Sequence, residues 1–233
     1  MKRVAVCLKP QQSNYSEGYS IWRHFPFGIV GIRTLNYSLT IKRTYDVDLI
    51  AFVMAPKKYY HRIIELCAFG FSGIVYISDP LIAGADSLGT AKILAKAINK
   101  YDCDIVITGK SSEDSCTGQV PVQVAMAIDA QYVTDDVVDI SSLRNANNII
   151  IAVEQNYPEF FPTLSTIQKE RNVRVDNYSL FDLGLMKDEL KYTEVIRIVN
   201  TQIDDTDSQI TEMTSNEAVK YLQEIIDIEV RKR

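Results

Sequence analysis

Between residues 1 and 135 the chain switches repeatedly between two hydrophobic periods, and that switching leaves few architectures open. "RVAVCL" (Arg3–Leu8), "DLIAFVM" (Asp48–Met54), "GIVYIS" (Gly73–Ser78) and "DIVITG" (Asp104–Gly109) are short, rich in β-branched residues and almost continuously apolar. Such runs are what strands need when both faces of a parallel sheet are covered. The segments between them repeat at helical spacing. "KKYYHRIIELCAFG" sets Tyr60, Ile63, Ile64 and Cys67 on one face, with Gly70 placed to end the helix. "SLGTAKILAKAINKY" does the same with Leu88, Ala91, Leu94, Ala95 and Ile98, and offers Ser87 or Asp86 as N-cap. Strand and helix in alternation predict an α/β fold, a doubly wound parallel sheet whose ligands bind at the carboxyl ends of its strands.

After Tyr132 the rhythm breaks. "YVTDDVVDISSL" and "NNIIIAVEQ" predict two further strands forming an antiparallel edge. "NYPEFFPTLSTIQKERNVRV" has no period and reads as an aromatic, proline-bearing loop, either a surface loop closing the core or a docking element. Residues 200–212 are polar and acidic, a linker by composition. In "TSNEAVKYLQEIIDIEVRKR" Thr214 and Glu217 form a capping box, and Ala218, Leu222, Ile225 and Ile226 make an apolar stripe. That stripe must bury against its own domain or against a partner chain. The division expected is residues 1–199 for the α/β domain and 200–233 for a linker and docking helix, a C-terminal arm.

A chain of 233 residues, 46% hydrophobic and 24% charged, can bury a sizeable core. Its net charge of −5 disfavours nucleic-acid binding. "MKRVAVCLKPQQ" is too short for a signal-peptide core, and no run approaches the roughly 18 apolar residues of a membrane span, so a cytoplasmic protein is expected. Cys7, Cys67, Cys103 and Cys116 form no CxxC pair, and His24 and His61 lack ligand-spaced companions, which argues against a metal site. There is no GxGxxG, no GxxxxGK[ST] and no Ser-His-Asp or HExxH constellation. The stretch most in need of explanation is "GKSSEDSCTGQVPVQVA", Gly109–Ala125, between a strand and the start of a helix. It is either a solvated connection with ordinary capping or a phosphate turn. Unpaired N–H groups at a helix start attract phosphate, Ser115 and Thr117 can donate hydroxyls and Gly118 allows close approach, whereas Glu113 and Asp114 argue against a bare phosphate but can accept from a ribose or order the loop.

Several stretches resemble the β subunit of electron-transfer flavoprotein, FixA-type proteins included. "AGADSLGTAKILAKAI" and "GKSSEDSCTGQVPVQVAMAI" align without a gap to that family's "AGADTxATxxxLAxAI" and "GxQAIDGDTxQVGPxxAxxL". "VMAPKKYYHRIIELCAFGFSGIVYISD" is similar to its "xMGPxxAxxxLRxALAMGADxAxxxSD", "YPEFFPTLSTI" to "NEPRYPTLxxI", and "DLGL" (Asp182–Leu185) recurs at the expected distance. The resemblance implies an adenine-nucleotide α-hydrolase-like sheet, a heterodimer with a larger α subunit, and AMP or a second FAD in this chain. The electron-carrying FAD would sit mainly in, or be shared with, the α subunit, and the chain itself would be an electron carrier rather than an enzyme. By position, the nucleotide contacts are Cys7, the segment Phe25, Pro26, Phe27 and Gly28, then Met54, and finally Asp114, Ser115, Cys116, Thr117, Gly118, Gln119 and Val120. The recognition loop near residues 156–168 would offer Tyr157, Pro158, Phe160, Phe161 and Leu164 to an acyl-CoA dehydrogenase or similar flavin dehydrogenase.

This chain also departs from the family. Phe25-Pro26-Phe27-Gly28 replaces Asn-Pro-Phe-Asp/Cys and removes hydrogen-bonding side chains from the expected pocket, Cys116 replaces a carboxylate, and "NYPE" replaces "NEPR". The alternative is therefore a divergent nucleotide-binding or scaffold subunit without redox function. A nucleotide-hydrolysing or adenylating enzyme would want a Ser/Gly-rich loop after the first strand, and "KPQQSN" (Lys9–Asn14) is not one.

Overall fold

The computed structural model describes residues 1–10, 27–160 and 173–190. The chain divides into two compact units, Met1–Glu194 and Val195–Arg233, and every described residue belongs to the first. The expected linker and C-terminal helix lie outside the described residues. No helix among the described residues is long and apolar enough to cross a membrane.

Seven strands form one sheet: β1 (Lys2–Leu8), β2 (Val47–Met54), β3 (Gly73–Ile77), β4 (Ile105–Gly109), β5 (Gln131–Thr134), β6 (Ile149–Val153) and β7 (Arg174–Tyr178). Their order is β5-β6-β4-β1-β2-β3-β7, and every pairing is parallel. Alternate residues feed two separate cores. Val4, Val6 and Leu8 face one layer while Ala5 and Cys7 face the other, and Leu49/Ala51/Val53 against Ile50/Phe52 repeat the split. Both faces of each central strand are therefore apolar, the physical origin of the near-continuous runs.

Helix α1 (Ile29–Thr44) and the segment around α2 (Tyr60–Ile64) cover the first face, and α3 (Ser87–Ile98) and α4 (Gln119–Ala127) cover the second. The chain winds from β1 out through β2 to β3, then returns to lay β4 on the other side of β1. The strand order thus reverses between β1 and β4, and a crevice opens beyond their carboxyl ends.

Three expectations need correction. The β5–β6 edge is parallel, with Gln131 opposite Ile149 and Thr134 opposite Ala152. Residues 135–148, which include a 3₁₀ turn at Ile140–Asn145, carry the chain back across the sheet end, so β6 enters in the same direction as β5. The expected helix over residues 57–70 is a short α-helix flanked by 3₁₀ turns at Lys57–Tyr59 and Glu65–Phe69. Gly70 does end it, at φ 91°. In α3, Asp86 is the N-cap, and Leu88 is 42% exposed rather than part of the buried stripe.

Candidate functional site

A cleft of ≈ 430 Å³ lies at the carboxyl ends of β1, β2 and β4, within the size range of small-molecule sites. Phe52 and Met54 from β2, Leu94 from α3 and Val120 and Pro121 from α4 give it apolar walls. Thr108 and Gly109 end β4, and Ser111, Ser112, Asp114, Ser115 and Thr117 follow them along the polar side. Lys9, directly after β1, is the one cation among the described lining residues.

The connection from β4 to α4 is held in place at several points. Lys110 N–H donates to Val153 O at 2.9 Å, Cys116 N–H to Ser112 O at 2.8 Å, and the Ser112 and Ser115 hydroxyls meet at 2.8 Å. Asp114 takes the Lys9 ammonium at 2.6 Å, which ties the loop to the end of β1. Burial acts upward on the Asp114 carboxyl, but hydrogen bonds from Lys9 and Ser112 outweigh it and hold the group below the usual carboxylate range. Cys116 at φ 49° and Gly118 at φ 63° both adopt left-handed backbone. A non-glycine residue held there is uncommon and concentrates at ligand-binding turns. Gly118 is the N-cap of α4 and supplies no side-chain cap, so the first N–H groups of that helix have no partner of their own chain segment. Pro121 in the first turn has no N–H, which leaves Gly118, Gln119 and Val120 as its backbone donors. A second link joins two helix starts, the Ser87 hydroxyl donating to Gln119 Oε1 at 2.8 Å.

Of the residues expected to contact a nucleotide, Cys7, Met54, Asp114, Ser115, Thr117, Gly118, Gln119 and Val120 all line this cleft. The Cys7 thiol is pushed up to about 12, chiefly by burial and further by the nearby Cys103, so it is a protonated wall group rather than a nucleophile. Cys116 is not among the lining residues, and its Sγ lies 3.6 Å from Glu113 O. Phe27 is placed in the core instead, only 1% exposed among Val6, Leu8 and Leu35, because a phenyl ring gains more from burial than from a wet rim. Gly28 is also absent from the lining. Phe25 and Pro26 lie outside the described residues.

Lys9, Ser87 and Thr90 belong to the cleft and were not singled out from the sequence. Lys9 had a readable signal, being the first residue past an apolar strand. Glu113, expected to accept from a ribose or to order its loop, reaches α1. Its Oε1 accepts from Val30 N–H at 3.2 Å in the first turn of α1, and a Cβ on residue 28 would overlap its carboxylate. Beside glycine at position 28, which has no hydrogen-bonding side chain, the acceptor at the head of α1 comes from the β4–α4 connection.

The start of the aromatic segment is anchored inward. Asp135, 5% exposed, accepts from Glu154 N–H at 3.1 Å, from Gln155 N–H at 2.9 Å and from the Tyr157 hydroxyl at 3.0 Å. The Tyr157 ring packs tilted on Tyr37 with centroids 4.7 Å apart, and burial, then Asp135, pushes its hydroxyl pKa upward. Phe160 lies under the Arg43 guanidinium at 3.8 Å. Pro158 is exposed, and Phe161 and Leu164 lie outside the described residues.

The family described as "Electron transfer flavoprotein domain" matches residues 33–156, more than half of the chain. The chain is 33% identical over 100 residues to the electron transfer flavoprotein subunit beta of Thermoanaerobacterium thermosaccharolyticum, a match covering 43% of this chain and 38% of that one. It is 31% identical over 108 residues to protein FixA of Rhizobium meliloti, covering 44% and 37%. It is also 31% identical over 88 residues to the caffeyl-CoA reductase-Etf complex subunit CarD of Acetobacterium woodii, covering 37% and 34%. The matched stretch therefore spans less than half the length of these relatives. The chain belongs to the electron transfer flavoprotein domain family.

Proposed function

We propose that this chain acts as a β-type subunit of an electron-transfer flavoprotein, holding an adenine nucleotide in the cleft and pairing with an α subunit that carries the FAD. The observation that carries the reading is the uncapped head of α4 opening into a cleft that sets an apolar wall, with Phe52, Met54 and Leu94, beside a polar one. The N–H groups of Gly118, Gln119 and Val120 receive the phosphate, with Ser115, Thr117 and the Lys9 ammonium beside them. Phe52, Met54 and Leu94 flank the adenine base. These groups bind and orient, and the chain serves as an electron-carrier subunit. The flavin, when bound with the α subunit, supplies the electron-carrying ring. Pro158, Phe161 and Leu164 address a partner flavin dehydrogenase of the acyl-CoA dehydrogenase kind, while Tyr157 and Phe160 hold the base of that segment. The test is co-expression with an α subunit of the same family, followed by an absorbance spectrum and identification of nucleotides released on heating. A yellow heterodimer that releases AMP is expected. A colourless chain that fails to co-purify with the α subunit and releases neither AMP nor a flavin contradicts the reading.

A further inference from the structure

Helices α1, α3 and α4 all contribute their first turns to the cleft, through Val30 and Gly31, Ser87 and Thr90, and Gln119 and Val120. Each helix head carries N–H groups without an intrahelical partner and a fractional positive charge, so each is a position for an anion. Two of the heads are filled from within the protein. At α3, Asp86 Oδ1 accepts from Gly89 N–H at 2.9 Å. At α1, the N-cap Gly28 brings no side chain, and Glu113 reaches over from the β4–α4 connection to accept from Val30 N–H at 3.2 Å. Gly28 sits in ordinary extended backbone, at φ −75° and ψ −177°, so its conformation does not demand glycine. The space demands it, since a Cβ there would overlap the Glu113 carboxylate. Gly28 and Glu113 are thus two halves of one device. The head of α4 alone is without a carboxylate cap.

We propose that Glu113 is a specificity-determining residue: its carboxylate occupies the head of α1, so the cleft takes one phosphate group, at α4, and discriminates against nucleotides that carry a second. The inference rests on the nucleotide reading above. The head of the helix after the first strand is where a doubly wound sheet commonly receives a pyrophosphate, and here the protein's own anion holds that position. Charge works in the same direction. Lys9, the one cation among the described lining residues, is already paired with Asp114, and Asp86 and Glu113 add two further carboxylates to the surroundings. A nucleoside monophosphate has the α4 amides to receive it. A further phosphate adds negative charge near carboxylates, with no free helix-head donor set among the described residues to offset it.

The test is calorimetric titration of the full chain with AMP and with ADP, repeated for Glu113→Gln and Gly28→Ala. Glu113→Gln removes the charge at an exposed position, and Gly28→Ala expels the carboxylate by overlap. The unmodified chain is expected to bind AMP at least about tenfold more tightly than ADP, and either variant to lower that ratio to about threefold or less. Should Gly28→Ala fail to fold, the conservative Glu113→Gln decides alone. Equal affinity for the two nucleotides in the unmodified chain, or a ratio that survives both substitutions, overturns the role of Glu113 while leaving the nucleotide site intact. Binding of neither nucleotide overturns the nucleotide reading itself, and the role of Glu113 with it.

Discussion

Two segments flank the end of the central strands, and they use similar local chemistry to opposite ends. The β4–α4 connection is small, polar and bent by left-handed residues, and its side chains pair mostly with one another or with Lys9, leaving the α4 backbone donors open to the cleft. The segment after β6 is aromatic, and its first rings turn inward, with Tyr157 on Tyr37 and Asp135 and Phe160 beneath Arg43. In each case one carboxylate accepts from backbone distant in sequence, Glu113 from Val30 N–H in α1 and Asp135 from Glu154 and Gln155 N–H. The difference lies in what remains unsatisfied. Asp135 is buried and its acceptors are filled by the segment it anchors, whereas the first region keeps a helix head without a cap. The two loops are told apart by vacant backbone donors rather than by conspicuous side chains.

This contrast can be broken by substitution. The largest effect is expected from Asp135→Ala, which strands two backbone N–H groups and a tyrosine hydroxyl. A loss of about 3 kcal/mol in unfolding free energy is expected by denaturant titration, with AMP affinity unchanged. Gly118→Val should do the reverse. A branched side chain is strained at φ 63° and crowds Lys110 O, so AMP binding should weaken by more than about tenfold while hydrogen exchange of the Glu154 and Gln155 amides stays at its original rate. Tyr157→Phe removes one of the three donors to Asp135 and should cost about 1 kcal/mol of stability, again without touching AMP affinity. The smallest effect concerns the Lys9–Asp114 pair, whose partners are both more than half exposed. Because the Asp114 carboxyl titrates lower in the folded chain, its contribution is complete above the ordinary value of 3.8 and fades as pH falls below it. Asp114→Asn should therefore cost at most about 1 kcal/mol near neutral pH and nothing well below pH 3.8.

The central strands were legible because burial on both faces writes itself as an unbroken apolar run, visible in β1 to β4 without any partner information. The β4–α4 turn followed from that pattern. What stayed hidden depends on residues far apart in sequence. The direction of β6 is set by where residues 135–148 carry the chain, and a local pattern of alternation does not record it. Glycine at position 28 read as a lost polar contact because the acceptor beside it, Glu113, lies 83 residues from its donor Val30. The contacts of Tyr157 and Phe160 with α1 were not legible, because aromatic side chains look the same in sequence whether they face a partner or rest on a helix.

The most direct test of the claim that the head of α4 holds a nucleotide phosphate is an amide-resolved NMR titration of the ¹⁵N-labelled chain with AMP. Saturable shifts of the Gly118, Gln119 and Val120 amides are expected, with those of Tyr157 and Phe160 stationary. Amides at the α4 head that stay fixed through the titration, or whose shifts are smaller than those of the aromatic segment, would contradict the account.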